Sequence, residues 1–467
     1  MKLTNTLSGK KELLPKPEKG KPLRIFVCGP TVYDFLHIGN ARTYLVFDTF
    51  VKYLRSQKIK VKYLQNITDI DDKIIKRAQG EKVTPKTIAK RYKKIYFNSM
   101  KRLGITAVDI YAPATKYIPQ IIKQVKTLIA KKHVYEIEGD GYYFDITTFK
   151  NYGKLARRTV AGAEDGVSRI DESISKRNRG DFCVWKFSRS GEPIWKTDLG
   201  AGRPGWHIED TAISEHHFGP QYEIHGAGVD LKFPHHEAEI AQEESVSGKK
   251  PFVKLWMHVG SLMVDGKKMS KSLGNFIAID DFLAKYPGEV LRLATLTHHY
   301  RSPMNYTEIL VADHVKSWNT VREFIAKLEF IEKQKNPTVS KDRHNNSEIK
   351  KAEQSFHKAL ADDFNTPQAL GILFEVMGKI QPNIWELSLK EAKEVSSVFK
   401  NLLESIGLSV LAQKIPREIK ALVEEREKSR ANKQFMQSDA LRSRINELGF
   451  IVEDTPLGPF LCLKNPS

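Results

Sequence analysis

Cysteine is scarce in this sequence, and long apolar segments are missing. The chain contains three cysteines, Cys28, Cys183 and Cys462, an odd number with wide spacing. A disulfide framework is therefore not expected, and a reducing compartment is favoured. No run approaches the roughly 18 consecutive apolar residues of a membrane span. The first residues lack the apolar core of a signal peptide, so we expect a cytoplasmic protein that does not enter a membrane.

An excess of acidic residues is missing as well. Lysine and arginine number 75 against 56 aspartates and glutamates, which gives a net charge of +19 over 467 residues. Such an excess favours a polyanionic partner, although net charge says little about the fold. Hydrophobic residues make up 40% of the chain, which is enough for packed cores. A chain of this length predicts about two to four domains.

A strand, a turn and a helix are predicted within residues 24–48. Residues 25–28 have strand character, Gly29 and Pro30 end the strand, and a helix is expected to begin near Gly39. Such a junction presents free backbone N–H groups and the positive end of a helix dipole, which suit a phosphate. His37 and Asn40 lie three residues apart, so one helical turn brings them together there as additional donors. Taken alone, the spacing of His37 and Asn40 would favour a surface histidine at a helix start.

A second motif lies far along the chain. Residues 268–272 have the sequence Lys-Met-Ser-Lys-Ser and are followed by Leu-Gly-Asn. Lys268 and Lys271 could deliver mobile positive charge to a polyphosphate. By itself a lysine-rich pentapeptide is usually a solvated loop, but the two motifs together, in this order, indicate a nucleotide site.

Together the two motifs resemble the "HIGH" and "KMSKS" signatures of class I aminoacyl-tRNA synthetases. Four further stretches are similar to cysteinyl-tRNA synthetases, namely residues 26–33, 65–73, 202–209 and 233–240. The resemblance extends over nearly the whole chain, from Asn5 to about Pro459. It implies an enzyme that activates L-cysteine with ATP and transfers it to the terminal 2′-OH of tRNA(Cys).

The predicted fold is α/β. A Rossmann-like catalytic domain with a parallel sheet and an insertion is followed by an α-helical bundle and a small mixed C-terminal domain. Thr366 is expected to cap a helix that starts at Pro367. The strands are predicted at residues 24–28, 60–66, 134–137, 141–146, 222–226, 255–264 and 450–453. The helices flanking the sheet are predicted at residues 39–55, 117–132 and 235–245.

Six divisions of the chain are expected from these elements and from the resemblance. They are residues 1–115 (first half of the catalytic domain), 116–205 (insertion), 206–260 (second half), 261–310 (lysine-loop region), 311–408 (helical bundle) and 409–467 (anticodon-binding domain).

The resemblance also implies the nucleotide-binding residues. His37 and Asn40 would contact the α- and β-phosphates. Lys268 and Lys271 would close over the β- and γ-phosphates, with Lys271 nearest the transition state. Catalysis would consist of positioning and electrostatic stabilisation, with Mg²⁺ accompanying ATP. The remaining nucleotide-binding residues would be Gly39, Gly226, Gly228 and Asp230, the last on the ribose or, alternatively, capping the following turn.

A metal site is predicted near the first strand. His235 and Glu239 lie four residues apart, so they share one helix face. Zinc accepts imidazole, carboxylate and thiolate ligands, and Cys28 at a strand end could reach the same point. The resemblance implies one zinc ion per chain that binds the substrate thiolate and thereby rejects serine. The alternative for Cys28 is a small buried hydrophobic residue.

The sequence departs from the family pattern at Asp210, where the resemblance implies a second cysteine ligand. Aspartate keeps the negative charge but is a harder donor, so weaker zinc retention and easier exchange for other divalent metals are expected. Three interpretations remain open. Asp210 ligates zinc directly, or it holds a water molecule and leaves three protein ligands, or the site contains little metal.

The pocket for the cysteine substrate is implied by the same resemblance. Cys28, Gly29, Thr31, Thr68 and Trp206 would line it. The alternatives are a helix N-cap for Thr68 and a core aromatic for Trp206.

Basic residues recur in the C-terminal helices. Such runs are usually solvated faces, but beside the catalytic motifs they favour a surface for the anticodon side of tRNA. The Trp-Arg ending of the family is Phe460-Leu461 here, which leaves stacking on the anticodon open. The basic residues are Arg426, Lys428, Arg430, Lys433, Arg442 and Arg444.

We expect a monomer, and two rival functions stay open. One is a ligase that joins cysteinyl-adenylate to a small amine, which should lack the basic tail. The other is a tRNA-binding pseudo-enzyme, which the change at Asp210 makes conceivable.

Overall fold

The computed structural model describes residues 1–158, 175–270, 273–334, 346–410 and 415–464. The chain divides into two compact units. The first contains Met1–Tyr306 and Asp362–Phe364, and the second contains Thr307–Ala361 and Asn365–Ser467. Among the described residues, no helix is both long enough and apolar enough to cross a membrane.

The first unit combines strands and helices in alternation. Its strands are β1 (Lys2–Asn5), β2 (Lys10–Leu13), β3 (Leu23–Val27), β4 (Val61–Ile67), β5 (Ile110–Pro113), β6 (Val134–Ile137), β7 (Gly141–Phe144), β8 (Phe182–Phe187), β9 (Trp195–Thr197), β10 (Gly200–Pro204), β11 (Tyr222–Gly228), β12 (Val253–Val259), β13 (Leu262–Val264), β14 (Lys267–Lys268) and β15 (Met304–Tyr306). Its helices are α1 (Ile38–Ser56), α2 (Asp72–Glu81), α3 (Pro85–Arg102), α4 (Ile118–Ala130), α5 (Trp206–Phe218), α6 (His235–Ser247), α7 (Ile279–Lys285) and α8 (Gly288–Leu296).

The central sheet confirms the predicted parallel fold. Five parallel strands lie in the order β12-β11-β3-β4-β5. β3 is flanked on both sides, so Ile25 lies opposite Tyr63 in β4 and opposite Ile224 in β11. Helix α1 is buried along most of its length. Because parallel strands end at the same edge of a sheet, the residues that follow β3, β4 and β11 meet there.

The insertion carries a second sheet. Its strands are antiparallel and lie in the order β6-β7-β8-β10-β9. The predicted hairpin of β6 and β7 is confirmed. Phe182 and Trp185 of this sheet belong to the same hydrophobic core as Phe26 of the central sheet and Ile208 of α5. The two sheets therefore share one core.

The single strand predicted over residues 255–264 is wrong. β12 ends one residue before Gly260, and β13 pairs with β15 in a separate small sheet. Another backbone segment passes close to the break, because a Cβ atom at Gly260 would lie 2.4 Å from the carbonyl oxygen of Ser302, and this favours glycine there. β13 then turns into β14 through Asp265 and Gly266, whose φ angles of 49° and 74° fit a two-residue hairpin turn.

The second unit is mainly helical. It contains α9 (Glu308–Glu332), α10 (Asn346–Ala361), α11 (Thr366–Ile380), α12 (Leu389–Ser405), α13 (Arg417–Ala431), α14 (Phe435–Glu447), β16 (Phe450–Thr455) and β17 (Gly458–Leu463). The last β segment is longer than predicted, because β16 pairs with β17 as an antiparallel hairpin.

The predicted cap of α11 is wrong by one residue. The N-cap is Asn365, whose side chain accepts a hydrogen bond from the N–H of Gln368 at 3.1 Å. Thr366 is buried in the first turn instead. Asparagine competes well with threonine at an N-cap, so the choice depended on the local backbone.

Candidate active site

Four side chains from three parts of the chain converge at the carboxyl edge of the central sheet. Cys28 follows β3 and is 4% exposed. Asp210 lies in α5, and His235 and Glu239 lie in α6. Their ligand atoms all lie within 4.8 Å of one another. We call these four residues the thiol cluster. The structure thus brings together the four metal ligands that the sequence predicted.

Two carboxylates face the imidazole ring of His235. Its Nε2 lies 3.1 Å from Oδ2 of Asp210 and 2.9 Å from Oε1 of Glu239. Burial alone would lower the pKa of His235, but the two carboxylates outweigh it and raise the pKa to about 10. Burial, assisted by the same carboxylates, raises the pKa of the Cys28 thiol well above its usual value. A metal ion would therefore displace protons on binding.

The thiol cluster fits a divalent metal ion. Both carboxylate oxygens of Glu239 are buried, and neither has a hydrogen-bond partner among the described residues. Oε1 lies 2.9 Å from Nε2 of His235, and Oε2 lies 3.4 Å from Nε2 of His225. A buried carboxylate without hydrogen bonds is costly, and a cation would satisfy it. Thiolate, imidazole and carboxylate are also the donors that zinc accepts.

Two further histidines contact the same thiol. Nε2 of His225 and Nε2 of His236 each lie 3.2 Å from Sγ of Cys28. Together with Cys28 and Glu239 they form a second group whose ligand atoms lie within 4.8 Å of one another. Cys28 and Glu239 therefore belong to two overlapping donor sets.

The outer nitrogens of these two histidines are held by other side chains. Nδ1 of His225 contacts the hydroxyl of Tyr222 at 2.6 Å, and Nδ1 of His236 contacts Nε2 of His258 at 2.8 Å. His258 in turn contacts the hydroxyl of Thr6 at 2.8 Å. Burial lowers the pKa values of His225 and His236 well below 6.5, so both rings are neutral.

Sequence reasoning did not find these histidines, or Asn66 and Glu209 beside them. One signal was available, because His225 interrupts a buried strand and His236 directly follows a predicted ligand on a buried helix. A buried polar side chain needs a partner. The partners lie far away in the sequence, so the pattern could not reveal them.

Asn66 connects the ends of two strands to α5. Its Oδ1 accepts a hydrogen bond from the N–H of Gly29 at 2.5 Å, and its Nδ2 donates to Oδ1 of Asp210 at 2.5 Å. The glycine is required for this approach, because a Cβ atom at Gly29 would lie 1.7 Å from the carbonyl oxygen of Asn66. Gly29 therefore lies beside the thiol cluster.

The other predicted pocket residues lie nearby. Trp206 is half-buried and stacks on His235 with ring centroids 4.3 Å apart, so it borders the cluster. The hydroxyl of Thr68 donates to Oε2 of the buried Glu209 at 3.0 Å, and Thr31 pairs with Thr68 through the backbone. Thr68 is therefore not a helix cap.

His37 is the N-cap of α1. Its Nδ1 accepts hydrogen bonds from the N–H groups of Gly39 and Asn40 at 3.1 and 3.3 Å, and Oδ1 of Asn40 accepts from the N–H of His37 at 3.2 Å. Burial lowers the pKa of His37 below 6.5. In the neutral ring an acceptor at Nδ1 requires the proton on Nε2. The Nε2–H group is therefore the donor that His37 can offer to a ligand.

The lysine motif begins at the end of a hairpin. Lys268 closes β14 and is exposed. Nδ2 of Asn275 donates to the carbonyl of Lys268 at 3.2 Å, and Oδ1 of Asn275 accepts from the N–H of Ser270 at 2.9 Å. The Asn275 amide thus joins the two ends of this loop. Lys271 lies outside the described residues, so its role stays a prediction.

Both flanks of the lysine motif are attached to α1. On the far side, the N–H of Ile38 donates to the carbonyl of Ile277 at 3.1 Å. On the near side, the guanidinium of the buried Arg42 donates to the carbonyls of Gly260 and Ser261 at 2.6 and 2.8 Å. The two signatures are therefore positioned by one helix.

The two glycines at the end of β11 lie where a larger side chain would meet neighbouring atoms. A Cβ atom at Gly226 would lie 2.1 Å from the ring of Phe47 in α1. Close packing of α1 on the sheet therefore accounts for Gly226, which was predicted as a point of nucleotide approach. A Cβ atom at Gly228 would lie 2.5 Å from Oδ1 of the exposed Asp230. The nucleotide contacts of these residues stay predictions.

Comparison with known proteins identifies the family. The family described as "tRNA synthetases class I (C) catalytic domain" matches residues 15–316, the DALR domain matches residues 355–411, and the "Cysteinyl-tRNA ligase anticodon binding domain" matches residues 412–458. The cysteine–tRNA ligases of Persephonella marina and Thermococcus gammatolerans are 41% and 40% identical to this chain, each over 98% of both chains. This chain belongs to the cysteine–tRNA ligase family.

The fold also matches solved class I enzymes. The structure of Mycobacterium tuberculosis methionyl-tRNA synthetase in complex with methionyl-adenylate has a TM-score of 0.60 and 13% sequence identity. The match covers 83% of this chain and 89% of that chain. The predicted Rossmann-like architecture of this family member is confirmed.

In the C-terminal region one assignment is corrected, that of Arg426, and the open question of stacking by Phe460 is answered. Arg426 is 2% exposed, and its guanidinium binds both carboxylate oxygens of Asp454 at 2.8 and 2.9 Å, so it does not belong to the basic surface. Phe460 is 2% exposed and packs against Phe330 and Trp385, so it is not available to stack on a base. Of the six basic residues predicted for this surface, Lys428, Lys433, Arg442 and Arg444 are exposed.

Proposed function

We propose that this chain attaches L-cysteine to tRNA(Cys) in protein synthesis. The cysteine carboxylate attacks the α-phosphorus of ATP, which yields cysteinyl-adenylate and releases pyrophosphate. The terminal 2′-OH of the tRNA then displaces AMP. The observation that carries the proposal is the buried thiol cluster, whose Cys28 lies in the same connection between β3 and α1 that contains the His37 cap. The anticodon-domain match over residues 412–458 supports tRNA as the acceptor rather than a small amine.

Within this proposal, Cys28, Asp210, His235 and Glu239 hold one zinc ion. The bound zinc supplies a Lewis acid for the substrate thiolate, a contact that the hydroxyl of serine does not match. Ligation requires a thiolate at Cys28 and a neutral imidazole at His235. Both groups hold their protons strongly without metal, so zinc affinity should fall with decreasing pH.

The residues at the start of α1 would handle the phosphates. The Nε2–H of His37 and the amide of Asn40 donate to phosphate oxygens, next to the positive end of the helix dipole. Lys268, together with Lys271, would neutralise the outer phosphates, and Asp230 would accept from the ribose. Mg²⁺ would enter with ATP. Catalysis by such fixed donors needs no proton transfer from the protein at the α-phosphorus.

The proposal takes the chain as a cytoplasmic monomer. None of the three cysteines forms a disulfide, which suits a reducing compartment. Light scattering in solution would test the oligomeric state.

Cysteine-dependent ATP–pyrophosphate exchange tests the proposal most directly. Protein purified without chelator should exchange pyrophosphate with cysteine, should show little exchange with serine, and should charge tRNA(Cys). Metal content measured on the same sample should be close to one zinc per chain. Absence of any cysteine-dependent exchange would contradict an adenylate-forming function, and would favour a protein that only binds tRNA.

A further inference from the structure

Aspartate and cysteine are different ligands in one geometrical respect. A thiolate offers a single sulfur atom, whereas a carboxylate offers two equivalent oxygens and can rotate between them. A buried aspartate that replaces a thiolate therefore needs something to decide which oxygen faces the metal. Asp210 is 2% exposed, so contact with bulk water does not determine the orientation of its carboxylate.

The two oxygens of Asp210 have different partners in the structure. Oδ1 accepts from Nδ2 of Asn66 at 2.5 Å. Oδ2 lies 3.1 Å from Nε2 of His235, on the side of the other cluster residues. One oxygen is thus held by an amide, and only the other remains for a metal ion.

The orientation of the Asn66 amide is determined by the backbone. Its Oδ1 must be the atom that meets the N–H of Gly29, because a backbone N–H can only donate. Nδ2 must then be the atom that meets Asp210. Asn66 is 2% exposed, and the missing Cβ at Gly29 lets the two strand ends come this close. The amide is therefore fixed at both ends.

We propose that Asn66 is a positioning residue that makes Asp210 a one-oxygen metal ligand and so allows aspartate to stand where the family pattern has a cysteine. The inference rests on the proposed zinc site. Hydrogen bonds that orient a metal ligand contribute measurably to metal affinity, typically about 10- to 100-fold. The hydrogen bond from Asn66 should have this effect only while residue 210 is an aspartate.

A double-mutant cycle tests this coupling. The full-length chain is stripped of metal, and the affinity for Zn²⁺ is measured by competition with a chromophoric chelator. The variants are Asn66→Ala, Asp210→Cys and the double variant Asn66→Ala/Asp210→Cys. Thr68→Val serves as the matched control, because it removes a buried hydrogen bond to the neighbouring Glu209 and leaves Asp210 untouched.

The expected result is a selective loss. Asn66→Ala should weaken zinc binding about 10- to 100-fold in the wild-type background, and less than about threefold in the Asp210→Cys background. Thr68→Val should change the affinity less than about threefold. With Co²⁺ in place of zinc, Asp210→Cys should strengthen the sulfur-to-cobalt charge-transfer absorption, and the added Asn66→Ala should leave that absorption unchanged.

Two other results would overturn the inference. Equal losses from Asn66→Ala in both backgrounds would mean that Asn66 acts through Gly29 and the β3 end, not through Asp210. A loss from Thr68→Val as large as that from Asn66→Ala would assign the effect to general packing. Thermal unfolding of each metal-free variant shows whether it is folded, and Asn66→Leu, of similar branched shape, replaces Asn66→Ala if that variant unfolds. Absence of zinc binding by the wild-type chain is a different result, because it removes the proposed metal site itself.

Discussion

The thiol cluster and the phosphate end of the active site are built in opposite ways. We define the phosphate end as His37, Asn40 and Lys268. The cluster residues are buried and contact one another, whereas Lys268 is exposed and His37 is half-buried. A small thiol can be recognised in a dry, pre-formed pocket. A polyphosphate arrives with charge and water, so its donors are better left at a helix start and on a loop.

Electrostatics follows the same division. In the cluster, the carboxylates raise the pKa of His235 against the effect of burial, and burial together with the carboxylates raises the pKa of Cys28, so a cation is the missing partner. At the phosphate end, the His37 ring is neutral and a lysine is exposed, so an anion is the missing partner. The two regions should therefore respond separately to mutation.

The largest effects are expected when one residue of each region is removed. Glu239→Gln should abolish most zinc binding, because Glu239 belongs to both donor sets. Lys268→Ala should leave the zinc content unchanged. It should slow cysteine-dependent pyrophosphate exchange by about 100-fold, because a positive charge that stabilises the phosphates is lost. Metal analysis and exchange assays on the same samples measure both. Loss of zinc in Lys268→Ala would show that the regions are not separate.

The second prediction separates two roles of His37. Both His37→Ala and His37→Asn remove the Nε2–H donor, so exchange should fall by about 100-fold in both variants. Only alanine also removes the cap of α1, which should lower the free energy of unfolding by about 1 kcal/mol. Denaturant unfolding and exchange assays check the pair. Wild-type exchange in His37→Asn would exclude a phosphate contact from this ring.

A smaller effect is expected at the histidines that flank the cluster. If His236 only donates to the thiolate of Cys28, His236→Gln should weaken zinc binding by about tenfold, well short of the loss in His235→Gln. Chelator competition measures both affinities. Comparable losses in the two variants would move the metal ion toward the donor set of Cys28, His225, His236 and Glu239.

The smallest effect concerns pH and stability. Burial lowers the folded-state pKa of His37 below 6.5, whereas the unfolded chain keeps a value of about 6.5. The unfolded state therefore binds the proton first, and the contribution of His37 is complete above pH 6.5 and declines as the pH falls toward the folded pKa. Stability measured between about pH 7 and 5 should fall more steeply in the wild type than in His37→Asn. Parallel curves of stability against pH for the two proteins would mean that protonation of the His37 ring does not weaken the cap of α1.

Local spacing made much of the site predictable. His235 and Glu239 were found because a spacing of four residues on a helix places two side chains on the same face. His37 and Asn40 were found in the same way. One rejected detail, the single strand over residues 255–264, involved a distant partner, because Gly260 lies against the carbonyl of Ser302. The other, the cap of α11, was a choice between two adjacent residues that local spacing does not decide.

The C-terminal helices illustrate the same limit. The sequence does not distinguish a basic helical residue that faces solvent from one that faces an ion-pair partner. Arg426 is buried, and its guanidinium donates to both carboxylate oxygens of Asp454 in the C-terminal hairpin. Lys428, two residues away, is exposed. Only the packing of the hairpin on α13 distinguishes them.

The sequence by itself determined the family, the parallel sheet, both signatures and the four candidate ligands, because these depend on local periodicity and on motifs. The tertiary structure alone decided how the ligands are held. Asn66 reaches Asp210, and His225 and His236 reach Cys28, because the ends of parallel strands and the start of α6 meet at one edge of the sheet. Buried polar atoms must find partners wherever the fold brings them. The identity of such partners is a property of three-dimensional packing.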